Sequence, residues 1–403
     1  MTKKITIYKV LIAILILYPT YYAEAFGGIP FLLIGTYAIL DVFFLIDFIR
    51  NKKCVIPINV PIISIVIFYA LSFVFGLIVS IDKSFFLSKI FIGIQYLFLM
   101  LVVIEICKFE NKCEFVVRLV FLTSIIYIVT ALIRNITIFN RLVISKSANA
   151  NSLGMLCFSC ACLSLYFYKK YKKGWILPVI CIPLSLYTVV LSGSRKYLFI
   201  IGISCLIFFI FNFRNQIKNN IIKAFIIVVV LLVVVLIFKS TILSFWNSSV
   251  IITRIQNGST IDEDRWILYR KAFEIFKNHM FFGVGYQCFQ LYESVYTHSA
   301  YAEVLSCTGI IGFLPWFIFY SSILFKTLHY FFLNNKSWIA AWSLMWLISQ
   351  VILDFFSISL YMPVCMAMFG VVISISFFQI EGQNANDSIR ESNKSSYSRR
   401  MFF

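Results

Sequence analysis

The sequence predicts an all-α polytopic membrane protein of about twelve transmembrane helices, with one large outer loop that carries an amphipathic helix. Three observations predict it. Hydrophobic residues make up 61% of the 403-residue chain, charged residues only 13%, and Phe alone numbers 44. With a mean hydropathy of +0.92, this is far more apolar surface than a soluble core of that length needs. Apolar runs of roughly 18 to 24 residues recur, each long enough to cross a hydrocarbon core of about 30 Å. The basic residues behind the net charge of +18 fall in short clusters between those runs. That is the positive-inside pattern of a membrane protein, not a nucleic-acid surface.

The first spans are expected near 7–24, 29–49 and 58–80. Lys3 and Lys4 precede the first run, but no small-residue cleavage site follows, so it reads as a span and not a cleaved signal. Arg50, Lys52 and Lys53 follow the second. Spans near 87–107, 114–133 and 152–168 come next, the last closing on Lys169, Lys170, Lys172 and Lys173. Spans near 175–192 and 197–213 lead to Arg214, Lys218 and Lys223. A span near 221–238 precedes the large loop, and 299–325, 337–355 and 361–379 complete a single transmembrane domain over 1–380. Started from a cytoplasmic N-terminus, this count puts every basic cluster on the cytoplasmic side. The polar tail 381–403, with Arg390, Lys394, Arg399 and Arg400, ends there too, and its composition predicts disorder. The eleven cysteines lie mostly in spans. Cys157, Cys160 and Cys162 are expected to pack as small apolar residues, not to hold zinc or run redox chemistry.

The outer loops are short, apart from a modest one at 134–151, a tight turn at 192–196 and about sixty residues at 239–298. Loops that long are usually functional. Inside it, Thr260-x-x-Glu263 reads as a capping box. Trp266, Tyr269, Phe273 and Phe276 then recur at helical spacing, and Gly283-Val-Gly285 ends the element. This helix is expected on the outer membrane surface or over the bundle.

Arginines outside the cytoplasm run against the positive-inside bias, so each needs a reason. Arg195 sits in "LSGSRKYLF" at the outer mouth; Arg254, Arg265 and Arg270 belong to the large loop. Each could simply snorkel to lipid phosphate or pair with Asp262, Glu263 and Asp264. Together they supply several guanidinium groups on one face, and guanidinium grips a diphosphate in bidentate fashion. His298 is one of three histidines and starts the next span. Its bland reading is a polar residue at the interface. In the functional reading, nearby arginines and the positive helix end disfavour imidazolium and leave a neutral ring able to accept a proton. Tyr301, three residues on, shares its helical face.

Asp262-Glu263-Asp264 matches the metal-holding Asp-x-Asp pattern. It coincides with a helix start, where acids are stabilising anyway, so capping is the expected role and no metal or other cofactor is expected. Asp41, Asp47 and Asp354 fall within spans, where a carboxylate is costly. They would suit a proton-coupled carrier, or partners for basic residues near span ends.

Four segments resemble the O-antigen ligase and polymerase superfamily of bacterial inner-membrane proteins. "SANANSLGM" (147–155) is similar to its Asn-x-x-Gly start of a mid-chain span, here Asn151 and Gly154. "LSGSRKYLF" (191–199) resembles its Ser-x-Ser-Arg turn. "DRWILYRKAFEIFKNHMFFGVGYQCF" (264–289) resembles its Arg-rich surface helix and Gly-Val-Gly turn. "HSAYAEVLSCTGIIGFL" (298–314) resembles its His-containing span start. Order and spacing match over roughly 145–320. Ligases of the family usually carry His-Asn where this chain has His298-Ser299, which turns the expectation toward a polymerase. Met280-Phe-Phe stands where a Pro is common before the Gly-Val-Gly turn.

The resemblance implies glycan transfer from undecaprenyl diphosphate at the periplasmic face of the inner membrane, onto the next lipid-linked repeat unit (polymerase) or onto lipid A-core (ligase). It implies Arg195, Arg265 and His298 as catalytic residues and Arg254, Arg270, Tyr301 and Asn151 as substrate-binding ones. Undecaprenyl-diphosphate-linked oligosaccharides, membrane lipids and a chain-length regulator are the implied partners, with no role for nucleic acid. The rival from another class is a flippase for lipid-linked oligosaccharide, with Asp41 and Asp354 as coupling acids. The long loop and the absence of repeated halves weigh against it.

Overall fold

The computed structural model of the protein describes residues 2–17, 35–40, 42, 46, 59–138, 141–146, 148–171, 174–211, 260–333 and 337–378. Backbone groups in hydrocarbon must be satisfied within their own segment, so long apolar runs fold as helices. These are α1 (Thr2–Leu17), α2 (Val60–Val79), α3 (Lys83–Glu110) and α4 (Glu114–Arg134). A small hairpin follows, β1 (Ile136–Ile138) and β2 (Arg141–Val143), paired antiparallel with Ile136 opposite Val143. Next come α5 (Ala150–Lys170), α6 (Ile176–Ser192) and α7 over 195–211. The last group is α8 (Thr260–Asn278), the single turn α9 (Gln290–Glu293), α10 (Ala300–Leu333), α11 (Trp338–Leu353) and α12 (Pro363–Phe378).

Among the described residues, five helices are long and apolar enough to cross a membrane: α2, α3, α4, α5 and α10. Shorter apolar helices include Ile176–Ser192, Trp338–Leu353 and Pro363–Phe378. This fits a polytopic membrane protein. The expected span at 221–238, most of 29–49, the loop before residue 260 and the tail 381–403 lie outside the described residues. So do Asp41, Asp47 and Arg254, and the side chains of Asp262, Glu263 and Asp264.

The centre of the bundle is formed by helices that are apolar all round. α12 is buried from Pro363 through Ser376, and α5 from Leu153 through Phe167. Cys157, Cys160 and Cys162 are buried and free. The Trp342 indole N–H donates to the Cys162 carbonyl at 2.8 Å, and Cys162 Sγ lies 3.8 Å from Met345 Sδ. These thiols pack, as small apolar side chains do.

Polar contacts mark two ends. At one end Glu114, which starts α4, pairs with Lys170, which ends α5, at 3.2 Å. At the other, Arg134, which ends α4, donates to the Ile144 carbonyl at 3.3 Å beside the start of α5. That second end also gathers the turn between α6 and α7, the loop before α10 and residues 354–359. Lys196 Nζ donates to the Phe356 carbonyl at 2.8 Å, and the Ala300 N–H to the Asp354 carbonyl at 2.8 Å.

Two features there differ from the sequence reading. The run read as one continuous span at 299–325 is broken at Gly309, whose φ of 61° and ψ of −168° are not helical. The loop after α8 fills the break. Val284 and Gly285 donate N–H bonds to the Ser306 and Cys307 carbonyls at 3.2 and 2.8 Å. Ile310 and Ile311 donate to the Met280 and Phe281 carbonyls at 2.8 and 3.2 Å. Gly283 (φ 65°) and Gly309 sit at the two contact points. A Cβ on Gly283 would run into the Cys307 backbone, and one on Gly309 into the Phe281 backbone.

The second feature is Asp354. It is fully buried, and its carboxylate accepts from the Tyr320 hydroxyl (2.5 Å), the Ser359 hydroxyl (2.9 Å), the Ser359 N–H (3.1 Å) and the Gln350 amide (3.4 Å). This acid is a fully bonded structural junction between α10, α11 and the 3-10 turn Ser359–Tyr361.

Gly309→Ala and Gly283→Ala should each destabilise the protein by about 2–4 kcal/mol, combining left-handed backbone strain with a backbone collision. Thermal unfolding in detergent checks this. A midpoint unchanged in both variants would mean the interlock is not rigid.

Candidate functional site

The site is built on the turn between α6 and α7. Gly193 adopts φ 66° and its N–H bonds the Val189 and Val190 carbonyls, a left-handed cap that ends α6. Ser194 is buried next to it, and its hydroxyl bonds the Ala150 carbonyl (3.2 Å) and Asn151 Oδ1 (3.3 Å). Arg141, carried out by the hairpin, donates through Nε to the Ser192 carbonyl at 2.8 Å. Its Nη2 reaches the Ser194 hydroxyl (3.1 Å) and Asn151 Oδ1 (3.4 Å). One turn into α5, Gly154 leaves room for the buried Tyr197 ring, which a Cβ would meet. The Asn-x-x-Gly and Ser-x-Ser-Arg segments are therefore two halves of one packed corner.

A cavity of about 480 Å³ opens at this corner. Arg141, Asn151, Arg195 and Lys196 line it from the bundle side, and Arg265, Leu268 and Lys271 from α8. His298 lines it from the start of α10, with Glu293 nearby. Five of the lining side chains are cationic. Among the described residues Glu293 is the one carboxylate in the lining, and it pairs with Lys271.

Four residues singled out in the sequence, Asn151, Arg195, Arg265 and His298, therefore lie on one cavity although up to 147 positions separate them (298 − 151). Two others do not line it. Arg270 is exposed and pairs with Glu274 at 3.8 Å, because five residues along a helix turn it roughly 140° away from Arg265. Tyr301 gives its hydroxyl proton to the Val351 carbonyl at 3.1 Å and packs its ring on Phe355 and Trp316. Arg141, Lys196, Lys271 and Glu293 were not anticipated. Arg141 carried a usable signal, since it is an arginine in a loop already assigned to the outer face. Lys196 stands next to Arg195 in the same segment.

His298 is held in an unusual conformation, with φ 63°, which a side chain adopts only when its surroundings fix it. Before it, the Thr297 N–H donates to Glu303 Oε2 at 2.9 Å; Glu303 is fully buried and also accepts from the Tyr361 hydroxyl at 3.3 Å. After it, the Ala300 N–H is taken by the Asp354 and Ser357 carbonyls. The imidazole ring sits 4.3 Å from the Tyr296 ring, and its Nδ1 is buried without a hydrogen-bond partner among the described residues.

Burial, then Arg265, then Lys196 push the His298 imidazole down to about 4, so the ring is uncharged at neutral pH. Lys196 precedes the apolar run that begins at Tyr197. Burial first, then Arg265 and Arg141, lower its ammonium to about 7. A neutral imidazole with a vacant nitrogen can accept a proton. The surrounding cations can hold a multiply charged anion.

Residues 180–317 match the O-antigen ligase (Wzy_C) family model, and this supports the superfamily of O-antigen polymerases and ligases. The match covers every lining residue named above except Arg141 and Asn151. No curated protein matches the chain.

In the ligand-free protein, His298 should titrate near 4 and not near 6.5. Arg265→Gln removes a neighbouring positive charge and should move that value upward. Histidine NMR, with His298→Gln for assignment, measures both; a titration at 6.5 in both proteins would remove the cations from control of this ring.

Proposed function

We propose that the protein is an O-antigen or related surface-polysaccharide polymerase. In this reading it is a glycosyltransferase that moves the growing glycan from undecaprenyl diphosphate onto the next undecaprenyl-diphosphate-linked repeat unit, at the periplasmic face of the inner membrane. One observation carries the reading: Arg141, Arg195, Lys196, Arg265 and His298 line a single cavity.

The chemistry needs a hydroxyl made nucleophilic and a diphosphate made a good leaving group. His298 takes the proton of the acceptor sugar hydroxyl. The hydroxyl oxygen attacks the anomeric carbon as the bond from that carbon to the diphosphate oxygen breaks. Lipid diphosphate departs with the electron pair, and the configuration inverts. Negative charge grows on the departing oxygen, where fixed cations stabilise the transition state by several kcal/mol. General-base help adds about 10²–10⁴-fold. Arginine and lysine supply the positive charge, so the scheme calls for no metal.

The empty site makes His298 a weak base. A bound diphosphate reverses this, because its negative charges offset Arg265 and Lys196 and raise the basicity of the ring. Lys196 carries its charge below pH 7 in the empty site and sheds it above. Donor affinity in the wild type should therefore weaken above pH 7.

A ligase that delivers finished polymer to lipid A-core is the second reading, favoured by the description of the matched family. His298-Ser299 in place of the usual His-Asn favours the polymerase. The two readings separate in cells. Loss of a polymerase leaves lipopolysaccharide capped by single repeat units, and loss of a ligase leaves bare core with lipid-linked polymer accumulating.

His298→Ala should leave the protein in the membrane and abolish the lipopolysaccharide ladder on a gel; a normal ladder would exclude His298 from the mechanism. Arg195→Lys should lose nearly as much activity as Arg195→Ala, about 10²-fold or more, if bidentate geometry matters. Lys196→Arg, which keeps its charge, should hold donor KM constant above pH 7 where the wild type rises. Parallel pH profiles in the two proteins would show that the Lys196 ammonium does not meet the donor.

A further inference from the structure

α8 has three faces. Ala272, with Leu268 and Ile275, packs against Phe289 and Cys307 of the bundle. Arg265, Leu268 and Lys271 line the cavity. The third face points away from both. Trp266 is 72% exposed and Phe273 55%, seven residues apart and so on one stripe. The Lys277 ammonium lies 4.8 Å from the Phe273 ring centre, and Arg270 lies on the same side.

That stripe continues into other exposed apolar surface. The Tyr269 hydroxyl donates to the Phe355 carbonyl at 3.2 Å, and Phe355 and Phe356 are themselves exposed. At the other end of α8, Phe281 is 61% exposed, and Phe282 stacks on Phe75 of α2 at 4.3 Å. Below the glycine interlock, Ile310, Leu314 and Phe317 of α10 are exposed at spacings of four and three, as on one face of a helix. α2 shows Val74 and Ile78 in the same way. Both helices are long and apolar enough to be spans, so these faces meet hydrocarbon.

We infer that the outer face of α8 is seated in the head-group region of the bilayer, with Trp266 and Phe273 turned into lipid and Arg270 and Lys277 reaching back to lipid phosphates. Three features select lipid over a protein partner. The aromatic band is continuous with the lipid-facing sides of α2 and α10. Trp and Phe beside Lys and Arg is the composition of helices that lie in a membrane interface. Lys277 sits beside the Phe273 ring, and Arg270, paired with Glu274, stands at the edge of the same band.

The wall of the cavity is then itself a membrane-interface helix. Arg265 is fixed at head-group depth because Trp266, its neighbour, is anchored there. An anionic group carried on a lipid reaches the cavity without being lifted into water. The inference needs only that the chain spans a membrane and stands apart from the glycan-transfer reading.

The test uses the full chain in phosphatidylcholine vesicles, with and without acyl chains brominated near the head group. Wild-type fluorescence minus that of Trp266→Phe isolates one tryptophan of the seven. The expected difference signal is blue-shifted and loses most of its intensity in brominated vesicles. Phe273→Trp in the Trp266→Phe background moves the reporter along the same face and should be quenched as strongly. Glu274→Trp in that background points to solvent and should be spared. Signals from positions 266 and 273 that survive bromination overturn the inference, whether water, a second copy or another protein covers them. Equal quenching at 274 overturns the orientation.

Discussion

A helix interrupted at membrane depth releases N–H and C=O groups that lipid cannot satisfy, so the break survives only where other backbone fills it. The interlock between Gly309 and residues 280–285 is such a filling, and the site depends on it. Four backbone hydrogen bonds weld the loop after α8 to the broken α10. Because the loop is fixed, α8 is fixed, and Arg265 and Lys271 are aimed at the turn that carries Arg195 and Lys196. The same break ends a short first segment of α10 whose beginning carries His298. One constraint on unsatisfied backbone thus sets the relative position of both halves of the cavity.

Within that frame, charge decides what the histidine can do. A ring flanked by Arg265 and Lys196 and removed from water stays neutral. The same cations that suppress its basicity are those a diphosphate would neutralise. On the proposed reading, donor charge and base strength would be linked through Coulomb interactions across one small space, and the ring would gain proton affinity at the step that uses it. Glu303 and the Asp354 carbonyl hold the backbone on either side of His298.

Much of this was legible in the sequence. Most described helices begin and end within a few residues of the apolar runs, as α5 at Ala150–Lys170 against 152–168, whereas α10 at Ala300–Leu333 runs eight residues past the expected 299–325. Arg195 and Arg265 stood out because arginine in loops expected outside runs against the positive-inside bias, and His298 because it is one of three histidines in so apolar a chain. The Gly309 break was not legible, since "SCTGIIGFL" lies inside a long run of spanning hydropathy and the competing bonds come from a loop more than twenty residues upstream. The hairpin was hidden for another reason: two strands of three residues are too short for alternation to register. Arg270 was misplaced because composition records that a helix is rich in arginine, while only the helical angle says which one faces the cavity.

Asp354 carries the contrast between an enzyme and a carrier furthest. A coupling acid must lose and regain its proton as the protein cycles, so at least one state leaves it open to water or ion. Here both carboxylate oxygens are engaged by four donors from three elements, and the residue's own carbonyl fixes the start of α10. Opening that carboxylate to water would break its bonds to Tyr320, Gln350 and Ser359, which tie α10, α11 and the 3-10 turn together. Among the described residues, Arg141, Arg195, Lys196, Arg265 and His298 line a cavity at the end of the bundle, beside α8. That placement suits chemistry on a lipid head group more than passage of one across the membrane.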